Sequence, residues 1–227
     1  MAFIPARHGS KRVPGKNTRL LAGHPLLAYT IAPALESGVF SSVIVSTDAE
    51  ETAVIARHYG AEVPFLRPAH LAADETPMLD VLTDLVASLE RIERYRPDVL
   101  VLLQPTSPFR RAGHIDAAVD LLTSTGADSV VTVVPVPHQF TPSSLMQLHG
   151  DRLVPCSEGG STRRQDKPLL FARNGPAVVA VQTRIVTERH TLYGPDTRGL
   201  VMAREESFDI DDAFDLEVAE RLMASRT

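Results

Sequence analysis

Val99-Leu100-Val101-Leu102-Leu103 is the stretch that decides the fold, because five consecutive apolar residues predict a strand buried on both faces of a sheet. Other short apolar runs, at 43–48 and 129–134, alternate with amphipathic stretches of helical spacing, of which 76–92 is the longest. This alternation is typical of an α/β domain. We therefore expect a mainly parallel sheet with helices on both faces.

The alternation stops between Pro135 and Leu170, where Pro, Gly and Ser are frequent and apolar runs are short. It resumes at 177–182 and ends with a predicted helix near 212–224. We interpret 1–227 as one domain from which 135–170 protrudes.

The overall composition excludes several classes of protein. The chain has 227 residues, 44% of them hydrophobic, and a net charge of −5, which argues against a nucleic-acid-binding protein. A single cysteine, Cys156, excludes an intrachain disulfide and a Cys-rich metal site. The first residues do not resemble a signal peptide, and prolines interrupt the long uncharged stretch 129–150, so we expect a cytoplasmic protein that does not bind membranes.

A basic loop follows the first predicted strand. It contains five cationic residues and no acidic residue: Arg7, Lys11, Arg12, Lys16 and Arg19. Gly9 and Gly15 let the backbone approach a ligand closely, and open α/β sheets bind ligands at the carboxyl ends of their strands. A triphosphate is the natural candidate ligand, and a solvated loop that binds nothing is the alternative.

The loop nearly matches a Walker A motif but has the wrong spacing. Five residues, rather than four, separate Gly9 from Gly15-Lys16, and Asn17 stands where Ser or Thr would contact magnesium. A P-loop NTPase is therefore disfavoured.

Two carboxylates near the C-terminus form a second candidate site. In an extended segment Asp209 and Asp211 point to the same side, with Ile210 opposite, and paired carboxylates suit Mg²⁺. The alternative is that Asp211 or Asp212 caps the last helix, and both interpretations are compatible. Nucleotide transfer needs a cationic loop together with such a metal site, so the two features support each other.

Three motifs resemble those of CMP-sialic acid synthetases, the acylneuraminate cytidylyltransferase family. Residues 4–17 (Ile-Pro-Ala-Arg-His-Gly-Ser-Lys-Arg-Val-Pro-Gly-Lys-Asn) resemble its nucleotide-binding signature, residues 103–110 (Leu-Gln-Pro-Thr-Ser-Pro-Phe-Arg) its second motif, and 209–211 its metal motif. The resemblance implies a Rossmann-like sheet of the nucleotide-diphospho-sugar transferase type. It also implies transfer of CMP from CTP to the anomeric hydroxyl of a sialic acid or related nonulosonic acid, with release of pyrophosphate.

The resemblance also assigns roles to residues. Those implied to bind CTP are Arg7, Ser10, Lys11, Lys16, Asn17, Arg67, Asp74 and Thr76. Those implied to bind the sugar are Gln104, Thr106, Ser107, Arg164, Gln165 and Asn174. Asp209 and Asp211 would hold Mg²⁺, or Mn²⁺, and act in catalysis with Arg7 and Lys16. His8 and Arg12 receive no defined role.

The sequence departs from the family near the sugar site. After Asn174-Gly175 it continues Pro176-Ala177-Val178, where the sialic acid enzymes usually have Ala-Ile-Tyr, and 138–143 lacks the expected lysine. These differences leave the acceptor open. In the family the segment corresponding to 135–170 reaches a second subunit, so the resemblance implies a homodimer, with a flap on a monomer as the alternative.

Other functions remain possible at this stage. The nearest alternative is CTP-dependent activation of another 2-keto sugar acid such as Kdo. A metal-dependent glycosyltransferase also uses an Asp-x-Asp pair but does not explain the basic loop. A non-catalytic protein would bind CTP without releasing pyrophosphate.

Overall fold

The structure, a computed structural model, describes residues 1–10, 12–157, 163, 167–175 and 177–225. The α-helices within these residues are α1 (Ala28–Ser37), α2 (Glu50–His58), α3 (Met78–Glu93), α4 (Ala112–Thr125), α5 (Thr183–Arg189) and α6 (Ala213–Ala224). The strands are β1 (Ala2–Pro5), β2 (Leu20–Leu21), β3 (His24–Pro25), β4 (Val43–Ser46), β5 (Val99–Leu102), β6 (Ser129–Pro135), β7 (Met146–His149), β8 (Arg152–Pro155), β9 (Phe171–Arg173), β10 (Val179–Gln182) and β11 (Thr197–Val201).

A seven-stranded sheet forms the centre of the molecule, in the order β11-β6-β10-β5-β1-β4, with β9 paired to the end of β6. The pairs β1–β4, β1–β5 and β6–β11 are parallel. β10 is antiparallel to both of its neighbours, β5 and β6. The expected mainly parallel sheet is therefore corrected to a mixed sheet, because the chain returns from 135–170 at the edge where β6 ended.

Helices cover both faces of this sheet, as the sequence predicts. Alternate strand residues enter two separate cores, so that Ile4 belongs to one core and Phe3 to the other. α1, α2 and α4 contribute to the core of Ile4, whereas α3 and α5 contribute to the core of Phe3. α6 packs elsewhere, in a smaller cluster with Phe109 and Ile210.

β7 and β8 form a hairpin outside the main sheet. All of their residues are exposed, and the cross-strand pair Leu148 and Leu153 is 68% and 59% exposed, respectively. The long uncharged stretch 129–150 thus contains strands and short turns rather than one helix. Among the described residues, no helix combines the length and the hydropathy needed to cross a bilayer.

Candidate active site

Most of the predicted site residues that the structure describes lie at one edge of the sheet. β1, β4 and β5 are parallel neighbours, so the segments that follow them lie side by side. Because β10 is antiparallel to β5, the described residues that precede it, Asn174, Gly175, Ala177 and Val178, lie at this same edge. The reversed strand therefore places Asn174 near the polar turn that starts at Gln104.

The basic loop is folded by its own hydrogen bonds. Asn17 Nδ2 donates to the Arg7 carbonyl at 2.9 Å, which joins the two ends of the loop. Gly15 has φ +63°, a left-handed conformation that favours glycine, and Thr18 Oγ1 donates to its carbonyl. Val13 is buried and anchors the middle of the loop.

The segments that follow β4 also carry charged residues into the site. Arg67 is almost completely buried, and its Nε and Nη2 donate to Oγ and the carbonyl of Ser46 at 3.0 and 2.7 Å. Burial lowers the pKa of Arg67 to about 10, although nearby Asp48 favours the charged form, so Arg67 stays cationic at neutral pH. Arg7 forms an ion pair with Asp74.

Lys16 connects the basic loop to the carboxylate pair. Its Nζ donates to the Ile210 carbonyl at 2.8 Å, and the Ile210 amide donates to the Thr106 carbonyl at 2.8 Å. Burial lowers the pKa of Lys16, and the charges of Asp211 and Asp209 oppose that shift. The three motifs are therefore held in contact with one another.

Asp209 is largely buried behind this junction. Ser107 Oγ donates to its Oδ1 at 3.3 Å, and the carboxylate lies against the Cα of Gly175. Burial raises the pKa of Asp209, a hydrogen bond from Thr106 opposes this, and the charge of Asp211 raises it further. The two carboxylates are thus close enough to repel each other.

Asp211 is exposed at the mouth of the site. Its Oδ2 lies 3.6 Å from Arg12 Nη1, which gives a contact to a loop residue that had no predicted role. Asp212, not Asp211, caps α6, because its Oδ1 accepts from the amides of Phe214 and Asp215. Asp211 is consequently not needed as a helix cap.

These groups surround a cavity of about 460 Å³, a size typical of small-molecule sites. The predicted residues that line it are Arg7, Ser10, Lys16, Asn17, Arg67, Asp74, Gln104, Thr106 and Asp211. With Arg12, the lining includes four cationic and two anionic side chains, a combination that would suit a polyanion together with a cation.

The donor set fits a hard divalent cation. In the described part of the chain, no group of three or more His, Cys, Asp or Glu residues could hold a metal ion. The pair Asp209 and Asp211 would supply only two carboxylates, so substrate phosphate and water would have to complete the shell, an arrangement that Mg²⁺ commonly adopts.

Comparison with known proteins identifies the family. A family model described as cytidylyltransferase matches residues 1–222. The chain belongs to the cytidylyltransferase family. It is 38% identical to the CMP-N,N'-diacetyllegionaminic acid synthase of Legionella pneumophila, over 98% of this chain and 95% of that protein. It is 31% identical to the protein of the same name from Campylobacter jejuni, over 99% and 94%.

Other similar proteins match over different extents. The chain is 35% identical to the N-acylneuraminate cytidylyltransferase of Escherichia coli over 96% of its own length, but spans about half (51%) of that protein. A solved structure of CMP:2-keto-3-deoxy-manno-octonic acid synthetase complexed with CTP covers 100% of this chain and 98% of the other, with a TM-score of 0.73 and 17% identity. At that identity the likeness concerns the fold.

Some predicted residues do not line the cavity, and Asp209, buried behind it, is one of them. Ser107 is fully buried and contacts Asp209, while Asn174 is buried and donates from Nδ2 to Ser207 Oγ at 2.9 Å. Thr76 Oγ1 donates to the His70 carbonyl at 3.3 Å, in the turn before α3. Lys11, Arg164 and Gln165 lie outside the described residues.

The residues after Gly175, where the sequence departs from the family, do not line the cavity in the described structure. Val178 and Val179 are fully buried, one in each core of this cytidylyltransferase, so their side chains pack against the sheet instead of facing a ligand. Sequence reasoning missed Met78 and Pro105, which line the cavity, and Ser46, which holds Arg67. Ser46 could have been found from the sequence, because Ser46-Thr47-Asp48 is a polar stretch at the end of an apolar strand-like run.

Substituting Gly175 with alanine should impair the site directly. Gly175 has φ +86°, and an added Cβ would lie 2.8 Å from Asp209 Cγ. We expect Gly175→Ala to displace the carboxylate and slow pyrophosphate release by about 10²-fold, the penalty for a misplacement of about 1 Å. Steady-state kinetics and thermal unfolding would measure the two effects.

Gly126→Ala is the matched control for backbone strain. Gly126 has φ +68° at the end of α4, and a Cβ there meets nothing within 4 Å. Both variants should lose about 1–2 kcal/mol of stability, because alanine is strained in the left-handed conformation that glycine adopts there. Equal activity in the two variants would contradict a specific contact between position 175 and Asp209.

Proposed function

We propose that the protein transfers CMP from CTP to the anomeric hydroxyl of a nonulosonic acid, of the sialic or legionaminic type, and releases pyrophosphate. The observation that carries this proposal is the bond from Lys16 Nζ to the Ile210 carbonyl, which puts the basic loop beside Asp209 and Asp211. The names of the relatives support the acceptor class, since they are CMP-legionaminic acid synthases and N-acylneuraminate cytidylyltransferases.

The basic loop would hold the triphosphate. Arg7 and Lys16 present cations to the cavity, and Ser10 and Asn17 line it beside them. Lys11 is assigned to the same group from the sequence motif. Lys16 would stabilise the negative charge that develops on the leaving pyrophosphate. Arg67 and Asp74, which also line the cavity, are proposed to face the cytidine end.

The turn after β5 would position the sugar acid. Gln104 and Thr106 face the cavity and offer neutral donors and acceptors to hydroxyl and N-acyl groups. Ser107 and Asn174 support this wall from behind, through Asp209 and Ser207. Arg164 and Gln165 are proposed, from the motif, to reach the acceptor, where an arginine would suit its carboxylate.

The reaction is an in-line displacement at the α-phosphorus. The anomeric oxygen forms a bond to the α-phosphorus, the bond from that phosphorus to the bridging oxygen breaks, and the hydroxyl proton passes to solvent. Asp209 and Asp211 would hold Mg²⁺ or Mn²⁺, which when bound neutralises phosphate charge and makes a nearby hydroxyl easier to deprotonate. The chain's own contribution is to orient the two substrates and to stabilise charge.

Pyrophosphate release with CTP, Mg²⁺ and a panel of acceptors tests the proposal. The panel contains sialic acid, N,N'-diacetyllegionaminic acid, pseudaminic acid, a deaminated nonulosonic acid and Kdo. We expect release with at least one nonulosonic acid and none without an acceptor. Release with Kdo alone would contradict the proposed acceptor class, and CTP binding without release with any acceptor would contradict the proposed activity.

The proposal includes a homodimer of single-domain subunits in which 135–170 reaches the second copy. Its support is the exposed hairpin β7–β8, where Leu148 and Leu153 form an unpartnered apolar pair on one face. Such an apolar patch is typical of an interaction surface.

Changing both leucines should dissociate the dimer. We expect sedimentation to give twice the 24.7 kDa of one chain, and Leu148→Asp with Leu153→Asp to give one chain mass. Gln147→Glu, in the same strand but on its opposite face, is the control and should remain dimeric. A monomeric wild-type protein at micromolar concentration would contradict the proposal.

A further inference from the structure

Arg110 is a charged residue buried beneath the proposed sugar site. Arg110 is 3% exposed to solvent, and burial lowers the pKa of its guanidinium to about 9. In the described part of the chain its Nε and Nη2 have no hydrogen-bond partner. Burying a charge is costly in free energy unless that charge is well paired. A buried guanidinium with two nitrogens unpaired among the described residues therefore indicates that its remaining hydrogen bonds have a specific role.

The hydrogen bonds of Arg110 join two separate segments. Its Nη1 donates to the Gln104 carbonyl at 3.1 Å and to the Ala177 carbonyl at 2.8 Å. Gln104 follows β5, and Ala177 precedes β10. The two strands are paired only as far as Leu102 and Val179, so beyond that pair one nitrogen connects the diverging chains.

One of these segments lines the proposed acceptor site, and the other supports it from behind. Gln104 lines the cavity itself, and Asn174 lies three residues before Ala177, with its carbonyl accepting from the Ala177 amide at 3.1 Å. Gly175, between them, touches Asp209. The distance between the two segments therefore determines the position of Gln104 relative to Asn174 and to the carboxylate of Asp209.

The chain around Arg110 leaves little freedom for another arrangement. Ser107, Pro108 and Phe109 are buried, and Phe109 packs with Ile210 in the cluster that contains α6. Phe109 and Arg110 are thus both fixed inside the molecule. A neutral side chain such as methionine would fill the volume but provide no donor for two carbonyls, whereas a guanidinium has five N–H groups.

We propose that Arg110 is a positioning residue of the acceptor site, whose guanidinium joins Gln104 to Ala177 and so fixes Gln104, which lines the cavity, against the segment around Ala177 that supports it from behind. This inference rests on the proposed function for the identity of the acceptor. Arg110 acts through the backbone of Gln104 and Ala177 and touches neither substrate. It should therefore affect the acceptor more than CTP.

The test compares Arg110→Met with Arg110→Lys. In Arg110→Met, which removes the donors, we expect the KM for the acceptor to rise about tenfold, the loss typical of a charged hydrogen bond, while the Kd for CTP stays within about twofold. Arg110→Lys keeps a cationic donor and should give an intermediate KM. Arg91→Met, a loss of charge on the outer part of α3, is the control and should match the wild type.

A second readout does not depend on turnover. Hydrogen–deuterium exchange of peptides covering 102–107 and 177–182 should accelerate in Arg110→Met and not in Arg91→Met. Parallel losses of CTP affinity, kcat and thermal stability, without a selective change in the acceptor KM, would overturn the proposal in favour of a purely structural role. If Arg110→Met does not fold, an acceptor KM in Arg110→Lys equal to that of the wild type would overturn it.

The two proposals can fail separately. A wild-type protein that turns over no acceptor contradicts the proposed function, and the exchange experiment then decides on Arg110. Unchanged exchange in both segments of Arg110→Met would overturn the inferred connection. Accelerated exchange confined to those segments, with CTP affinity retained, would support it.

Discussion

Asp209→Asn is expected to reduce pyrophosphate release by about 10³-fold, the rate equivalent of several kcal/mol of lost charge stabilisation. Asparagine keeps the shape of the side chain that rests on Gly175 but removes the negative charge. Because Asp209 is largely buried and Asp211 is exposed, Asp209 is the better fixed of the two proposed cation ligands. Its loss should therefore have the larger effect.

Initial rates at several Mg²⁺ concentrations would measure this effect. A residual rate that rises at high Mg²⁺ would indicate weakened cation binding, which is the expected pattern. Asp120→Asn, on the exposed side of α4, removes the same charge away from the site and is the control. Full activity of Asp209→Asn at all Mg²⁺ concentrations would remove Asp209 from the proposed metal site.

Lys16→Met should lower kcat/KM for CTP by about 10²–10³-fold, which is the usual cost of removing one group that stabilises developing charge. The substitution removes the cation proposed to face the leaving pyrophosphate. It also removes the bond to the Ile210 carbonyl that connects the loop to the two aspartates. Both consequences act on the transition state, so kcat should fall as well as CTP affinity.

Arg19→Met is the matched control for Lys16→Met. Arg19 belongs to the same basic loop and is exposed, but it does not line the cavity in the described structure. We expect its kinetics to stay within about twofold of the wild type, as is usual for an exposed charge. Equal losses in the two variants would indicate a general electrostatic effect of the loop, and unchanged kinetics in Lys16→Met would contradict its role.

The strands and helices with the clearest apolar spacing could be predicted from the sequence. The apolar run that begins at Val99 forms β5, and the helical spacing of 76–92 forms α3, because one-dimensional periodicity reports directly which faces are buried. The short stretch 62–66 also favours a strand in the sequence, but in the structure it forms only a single bridge between Glu62 and Ile44. The short helix α5 was missed, since seven residues carry too little periodicity.

Strand direction could not be predicted in the same way. β10 is as apolar and as buried as a parallel strand, so its composition does not distinguish the two directions. Its reversal is set by where the chain re-enters the sheet after 135–170, a property of the tertiary fold. That reversal is the reason why Asn174 lies near the turn that follows β5.

The sequence indicated which residues belong to the candidate site, but not how those residues contact one another. Motifs identified Lys16 and the aspartates, but not that Lys16 donates to the backbone between them. Arg110 belongs to a motif, yet a sequence cannot show that an arginine is buried with two carbonyls as partners. Such contacts depend on segments that are far apart along the chain.

The position of β10 also has a consequence for how the protein is made. β5 and β6 are both complete by residue 135, but the strand that separates them ends at Gln182. During synthesis, a nascent chain that has not yet released residue 182 has two exposed strand edges where the finished sheet has none. The growing protein therefore passes through an aggregation-prone stage, and chaperone demand should be greatest over those 47 residues of elongation, about 2–10 s at ordinary translation rates.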